Sequence, residues 1–311
     1  MRKPIAIPLD RNDVVLPVDG REVRLTNLRK IFWSGLGLTK GDLLRYYARM
    51  APYVLPTIED RPLVLKRFPN GITGPSFYQQ KAPDDAPDGV RVARITNDAG
   101  ELQERVIGGD LLTLLWTIQL GAVSTDPWHA RLQSCDTPDY TILDLDPGPR
   151  APFKRVVEVA LAVKGVLDDL KLSAAAKTSG STGMHIYVPL PAKTSGETAL
   201  LVAQIIATRV ADENPKLATV ERSVKARPPA AVYVDYLQNI KSKTVAAAYA
   251  VRAKKGATVS TPLRWNEVDE SLDPREFTIE TVPARAAEVG DIWAAAMAKR
   301  NSRTALESVA R

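Results

Sequence analysis

Two carboxylates stand two residues apart in Tyr140-Thr-Ile-Leu-Asp-Leu-Asp146, a β-forming run that ends at Pro147-Gly148. Alternation along a strand puts Asp144 and Asp146 on one face and Leu143 and Leu145 on the other. Carboxylates this close repel and raise each other's pKa unless a cation sits between them, and Mg²⁺ or Mn²⁺ with oxygen ligands answers that need. Taken alone, Asp-x-Asp also suits a plain acidic strand end before a Pro-Gly turn. Asp235 shifts the balance, because Val232-Tyr-Val-Asp-Tyr236 is an apolar β-run in which an unpaired carboxylate is costly to bury. A pair on one strand and a third acid on another form a ligand set for two divalent ions in phosphoryl or nucleotidyl transfer. An EF-hand is excluded, since Arg155 stands at the loop position, counted from Asp144, that requires a bidentate Glu.

A second chemical feature is Lys177-Thr-Ser-Gly-Ser-Thr-Gly-Met-His-Ile-Tyr-Val188, a loop of small residues that enters a strand. Its backbone N–H groups and the hydroxyls of Ser179 and Ser181 could cradle phosphates, with His185 as a further donor. It is not a Walker A loop, for no Gly-Lys-Ser/Thr occurs in it, and a flexible turn with a structural His is the alternative. Cations recur nearer the start: Lys30 and Lys40 flank a short loop, and Lys66-Arg67 precedes a turn followed by Phe77-Tyr78. Cations beside aromatic faces suit phosphate contact plus base stacking, although each one alone also reads as a solvated charge or a core ring.

These residues need a scaffold, and the composition supplies one. The 311 residues are 45% hydrophobic and 25% charged, which is ordinary for a globular chain and excludes disordered, collagenous and coiled-coil classes. The net charge of +6 is concentrated: residues 1–70 hold thirteen Lys/Arg against seven Asp/Glu, and the remainder is balanced at 29 against 29. An acidic partner is therefore favoured. With one cysteine, Cys135, and two histidines, His129 and His185, neither an internal disulfide nor a Cys/His zinc site is available, so Cys135 reads as a packing residue and any metal needs carboxylates. The start has no signal-peptide pattern and the longest apolar stretch, Leu111 to Val123, falls short of the ~20 residues of a membrane span. A cytoplasmic protein with no membrane partner is expected.

Residues 1–20 read as an extended arm, 21–300 as one catalytic unit of one or two packed lobes, and 301–311 as a tail. A first helix follows Thr39, whose pairing with Asp42 resembles a capping box; Leu43, Leu44, Tyr47 and Met50 share a face before Pro52 and Pro56. Strands are expected at Pro62–Arg67, Val90–Ile95, Tyr140–Asp146, 184–190, 231–236 and 276–281. Helices are expected at Asp110–Gly121, 151–170, 197–212 and 284–299. Strands and helices alternate without regular βαβ spacing, which predicts an α+β fold with mixed or antiparallel sheets.

Together these motifs resemble the polymerase domain of bacterial DNA ligase D, in the archaeo-eukaryotic primase superfamily of non-homologous end joining. The resemblance runs from Leu25-Thr-Asn-Leu-Arg-Lys30 to Leu263-Arg-Trp265 and Leu272-Asp-Pro-Arg-Glu-Phe-Thr-Ile279. It implies a primase-polymerase fold with an RRM-like catalytic sheet and a closely packed second lobe. It implies Asp144, Asp146 and Asp235 as a catalytic triad holding two Mn²⁺ or Mg²⁺ ions. Ser179, Ser181 and His185, with Gln238, Lys243 and Arg252, are implied contacts of the incoming nucleotide, and Lys66 and Tyr78 lie near its sugar and base. Lys30 and Lys40 match the pair that grips a 5′-phosphate. The implied partners are gapped or broken 5′-phosphorylated DNA, NTP or dNTP with ribonucleotides preferred, a separate ATP-dependent DNA ligase, and Ku.

The chain departs from the pattern at two places. Asp126 stands where members usually carry His before Pro-Trp, and Thr182 where many carry Lys. Either change bears on nucleotide binding. The expected activity is templated addition of nucleotides to a primer 3′-hydroxyl at gaps or break ends, by a chain too short to carry a ligase or nuclease module as well. A DNA-end-bridging module with little catalysis and a de novo primase are the alternatives.

Overall fold

The computed structural model describes residues 5–96 and 100–309. The chain divides into two compact units: residues 1–128, 244–259 and 277–288 form the first, and 129–243, 260–276 and 289–311 the second.

In the first unit, β1 (Val14–Val18) and β2 (Arg21–Leu25) form an antiparallel hairpin, and β3 (Ile31–Trp33) pairs with β4 (Leu38–Thr39). Part of the expected N-terminal arm is therefore sheet, while its residues 1–4 lie outside the described residues. The helix α1 (Lys40–Ile58) starts on the expected capping box, with the Thr39 hydroxyl accepting from the Asp42 N–H at 3.1 Å and the Asp42 carboxylate accepting from the Thr39 N–H at 2.8 Å. It then runs through Pro52 and Pro56 rather than stopping before them. Each proline removes one backbone donor, but Met50, Val54 and Ile58 are buried and continue the apolar stripe past both prolines. The rest of the unit comprises β5 (Leu63–Arg67), β6 (Phe77–Gln79), the hairpin of β7 (Val92–Thr96) and β8 (Leu102–Val106), α2 (Leu111–Gln119) and β9 (Asp126–Pro127), with β6, β5 and β9 in one sheet. Asp110 caps α2 by accepting from the Thr113 N–H at 2.7 Å.

The second unit is built on a six-stranded sheet. Its members are β10 (Tyr140–Pro147), β11 (Ala175–Thr178), β12 (Met184–Pro189), β13 (Ala218–Thr219), β14 (Val232–Asp235) and β15 (Pro262–Leu263), in the order β13-β14-β10-β12-β11-β15. Every pairing is antiparallel except β13 with β14. The helices α3 (Phe153–Asp169) and α4 (Gly196–Glu213) pack against β10. Thr141 donates to the Ala199 carbonyl of α4 at 2.8 Å, which marks the face of β10 turned to the helices, and Leu143 and Leu145 share it by alternation and are fully buried. The mixed α+β reading holds.

Two expected elements take another form. The run 284–299 is two helices, α5 (Val282–Val289) and α6 (Ile292–Met297), followed by α7 (Arg303–Ser308) within the expected tail, whose residues 310–311 lie outside the described residues. Gly290 has φ +73°, which breaks the helix, and the Asp291 carboxylate caps the next one by accepting from the Ala294 N–H at 3.0 Å. The expected strand 276–281 is a turn, because Thr278 and Thr281 bond each other's backbone there and only an isolated bridge from Thr258 reaches Thr278. No helix among the described residues is long and apolar enough to cross a membrane.

Candidate active site

The acids are positioned by register. Asp144 on β10 lies directly opposite Asp235 on β14, and Asp146 lies opposite Tyr233. On the other flank Asp144 is opposite His185 on β12, and His185 is opposite Lys177 on β11. Residues directly opposite in a ladder share a face, so Lys177, His185, Asp144 and Asp235 form one row across four adjacent strands, with Asp146 on the same face. That face is the one turned away from Thr141 and the helices.

Charge along the row is graded. Lys177 is fully buried, with Nζ 2.6 Å from Nδ1 of His185 and donating to Oγ of Ser260 at 2.6 Å. Nε2 of His185 is 3.3 Å from Oδ1 of Asp144, and both residues are buried. Asp146 is exposed at the strand end. Asp235 is half-buried and turned into the bend that follows it, its Oδ1 accepting from the Tyr233 hydroxyl at 3.2 Å and the Leu237 N–H at 2.8 Å, and its Oδ2 from Nε2 of Gln238 at 3.1 Å. Burial, and next the Asp235 charge, push the Tyr233 phenol up to about 12. Gln238, expected at a nucleotide, is thus bonded to an acid of the triad.

Hard oxygen donors on one face suit Mg²⁺ or Mn²⁺. Opposed carboxylates in a ladder are destabilising on their own, which is the chemical argument for a cation there. Among the described residues, however, no three His, Cys, Asp or Glu side chains converge into a closed metal cluster. Asp235 is turned into its own bend, and its two hydrogen-bonded oxygens would have to exchange a donor for a metal.

The glycine loop between β11 and β12 is bonded largely to itself. Oγ of Ser179 accepts from the N–H groups of Ser181 and Gly183, both at 3.1 Å, and the Ser179 N–H donates to the Gly183 carbonyl at 2.9 Å. Three amides expected for an anion are therefore engaged within the loop. Gly180 has φ +66°, and a Cβ on Gly183 would lie 2.1 Å from the Leu145 carbonyl, so the loop is held close against the strand of the acids. Ser181 is half-buried and Thr182 exposed.

Asn239 and Lys177 escaped the sequence reading. Asn239 is buried in the bend after β14, its Oδ1 accepting from the Ile142 N–H at 2.7 Å and its Nδ2 donating to the Ile142 carbonyl at 2.7 Å. A side-chain amide thereby takes the two ladder bonds that β14 is too short to make to β10. Its neighbours in Gln238-Asn-Ile were the only signal. Lys177 heads the glycine loop and shows no sign in sequence of lying inside. Lys243 is exposed at the end of this segment.

The remaining candidates belong to the first unit. Lys66 and Tyr78 are opposite each other on β5 and β6, with Nζ 4.9 Å from the ring centroid, and Arg67 lies 5.2 Å from the ring of Phe77. Tyr78 is 64% exposed and Phe77 48%, so both rings are available for stacking. Arg252 is half-buried, its N–H donating to Thr258 at 2.7 Å. Asp126 accepts from the Ser124 hydroxyl at 3.0 Å. Lys30 is exposed and donates to Oδ1 of Asn70 at 3.0 Å, whereas Lys40 is buried and donates to the Thr26 carbonyl at 2.9 Å. Burial, and next the nearby Lys30 charge, lower the Lys40 ammonium from 10.5 to about 8.

A sheet with helices on one face and a row of acids on the other has the construction of a nucleotidyl-transfer domain, and known proteins refine that class. Residues 39–293 match the family described as LigD, primase-polymerase domain, and the chain belongs to it. It is 33% identical over 272 residues to the bifunctional non-homologous end joining protein LigD of Bacillus subtilis, covering 86% of this chain and 43% of that protein. It is 32% identical over 278 residues to the multifunctional non-homologous end joining protein LigD of Mycolicibacterium smegmatis, covering 88% of this chain and 36% of that protein. The chain thus spans well under half the length of these relatives. Among solved structures, the polymerase domain from Mycobacterium tuberculosis ligase D in complex with DNA matches with a TM-score of 0.82 at 31% identity, covering 90% of this chain and 99% of that one.

Proposed function

We propose that the chain is a template-directed nucleotidyltransferase that extends a primer 3′-hydroxyl at gaps or double-strand-break ends in non-homologous end joining, with ribonucleotides preferred. The observation that carries this reading is the register of Asp144 against Asp235, with Asp146 on the same face. Membership of the LigD primase-polymerase family and the end-joining relatives support it.

Asp144, Asp146 and Asp235 would hold two Mn²⁺ or Mg²⁺ ions. When bound, such ions make the primer hydroxyl more acidic and stabilise charge on the departing pyrophosphate. His185 directs Nε2 along the acid-bearing face, and Ser179 lies in the loop that leads into the strand of His185, placing both for contact with an incoming triphosphate. Tyr233, Leu237 and Gln238 hold Asp235 in its turn, and one of these donors would give way when a metal is bound. In the first unit, Lys66, Tyr78 and Arg252 supply cation and aromatic contacts suited to a nucleotide, and Lys30 and Lys40 the cations for a 5′-phosphate.

The test is extension of a gapped, 5′-phosphorylated duplex with the four ribonucleotides or the four deoxynucleotides under Mn²⁺ and Mg²⁺. Templated extension that vanishes in Asp144→Ala while DNA binding survives is the expected result; undiminished extension by that variant sinks the assignment. A second reading, an end-bridging module with little chemistry, is favoured by Asp235 lying bonded within its own turn and by Asp126 standing where members of the family usually carry His. Tight, 5′-phosphate-dependent binding with no incorporation under either metal would establish it instead.

A further inference from the structure

A buried lysine is costly unless its charge is engaged, and Lys177 is wholly inaccessible. Its Nζ donates to Oγ of Ser260 at 2.6 Å, and the Ser260 hydroxyl in turn donates to the Thr178 carbonyl at 2.8 Å. The serine proton is committed to that carbonyl, so Ser260 serves Lys177 only as an acceptor. The second partner is Nδ1 of His185 at 2.6 Å.

The opposite ring nitrogen, Nε2, faces Oδ1 of Asp144 at 3.3 Å. An ionised carboxylate only accepts, so Nε2 carries the proton. In that tautomer Nδ1 bears a lone pair and no hydrogen, so at the 2.6 Å contact the ring accepts and the lysine amine donates. Lys177 is therefore the donor, Nδ1 the acceptor, and His185 a ring locked in one tautomer between Lys177 and Asp144.

We infer that Lys177 is a positioning residue, which holds His185 in its Nε2–H form with that donor aimed at Asp144. It acts through His185, because its own amine is sealed from solvent. The assignment rests on the nucleotidyl-transfer reading for its purpose, though not for its geometry. A ring held by a partner at the far nitrogen, so that the near nitrogen presents a set tautomer, is the arrangement by which outer groups tune a reactive site, with losses of about 10- to 100-fold when they are removed.

The chain has only two histidines, so long-range ¹H–¹⁵N spectra of histidine-labelled protein resolve His185 after assignment with His185→Asn. In the unmodified protein, Nε2 should be of the protonated type and Nδ1 of the unprotonated, hydrogen-bonded type; a protonated Nδ1 overturns the inference, with no variant required. Lys177→Met keeps length and apolarity, and its fold is checked by circular dichroism. In it the single Nε2–H form should be lost and primer extension should fall about 10- to 100-fold. An unchanged spectrum with an unchanged rate also overturns the inference. The two readings fail separately: a chain without polymerase activity whose His185 shows the expected tautomer refutes only the activity, and an active chain with the other tautomer refutes only the role of Lys177.

Discussion

Replacing Asn239 by alanine should strike the acid-bearing strand without touching an acid. The side-chain amide is buried and bonds both the N–H and the C=O of Ile142 at 2.7 Å, and it donates to the Tyr236 carbonyl at 2.8 Å. Ile142 is itself fully buried, so water cannot substitute for the lost amide without entering the core. Each orphaned buried backbone group costs about 1–3 kcal/mol, and two of them give a loss of roughly 2–6 kcal/mol for Asn239→Ala. Asn239→Asp is the sharper form of the test. It keeps an oxygen for the Ile142 N–H but turns a second oxygen on the Ile142 carbonyl, so its folded-state pKa must rise, because only the protonated acid can donate there. The variant should be most stable in acid and lose stability as pH climbs through that raised pKa. Urea unfolding gives the magnitude, and hydrogen exchange across Tyr140–Pro147 localises it, with faster exchange expected at Ile142. A loss below about 1 kcal/mol together with unchanged exchange at Ile142 would refute the claim that this amide completes the ladder.

Three further outcomes are expected. Lys40 titrates near 8 when folded against 10.5 when unfolded, so the unfolded chain binds more protons across that window. Its contribution to stability therefore rises from pH 8 to 10.5, whereas binding of a 5′-phosphate, which needs the ammonium, should weaken from pH 7 to 9; equilibrium binding to a phosphorylated gap checks this, and Lys40→Met should flatten the dependence. Gly183→Ala would set a Cβ 2.1 Å from the Leu145 carbonyl. The backbone must shift, and a loss of about 1–3 kcal/mol in thermal or urea unfolding should accompany reduced extension. Tyr78→Ala should leave unfolding unchanged, since the ring is 64% exposed, while weakening single-strand or nucleotide binding by about 1–3 kcal/mol in fluorescence titration.

Much of the acid site was legible in the residues. Period-two alternation sufficed to put Asp144 and Asp146 on one face, and the capping pair Thr39 and Asp42 marked the start of α1, because both follow from local geometry. Family membership was carried by motifs spread along the chain, and residues 39–293 match accordingly. Local rules misread α1 at Pro52 and Pro56, where burial of the flanking apolar residues outweighs the lost donors, and the run 284–299, where Gly290 adopts positive φ.

Which strand lies beside which was decided only in the folded chain. Sequence separates Asp144 from Asp235 by ninety-one residues, and their opposition depends on sheet order and register, both set by long-range pairing. The same holds for the charges. Lys177 and Lys40 look like ordinary surface lysines in sequence, yet burial engages one with an imidazole and makes the other less basic. Residue type and spacing determine which groups are present and which way neighbours on a strand point; desolvation and cross-strand pairing, which only tertiary structure creates, determine what those groups are bonded to and how they titrate.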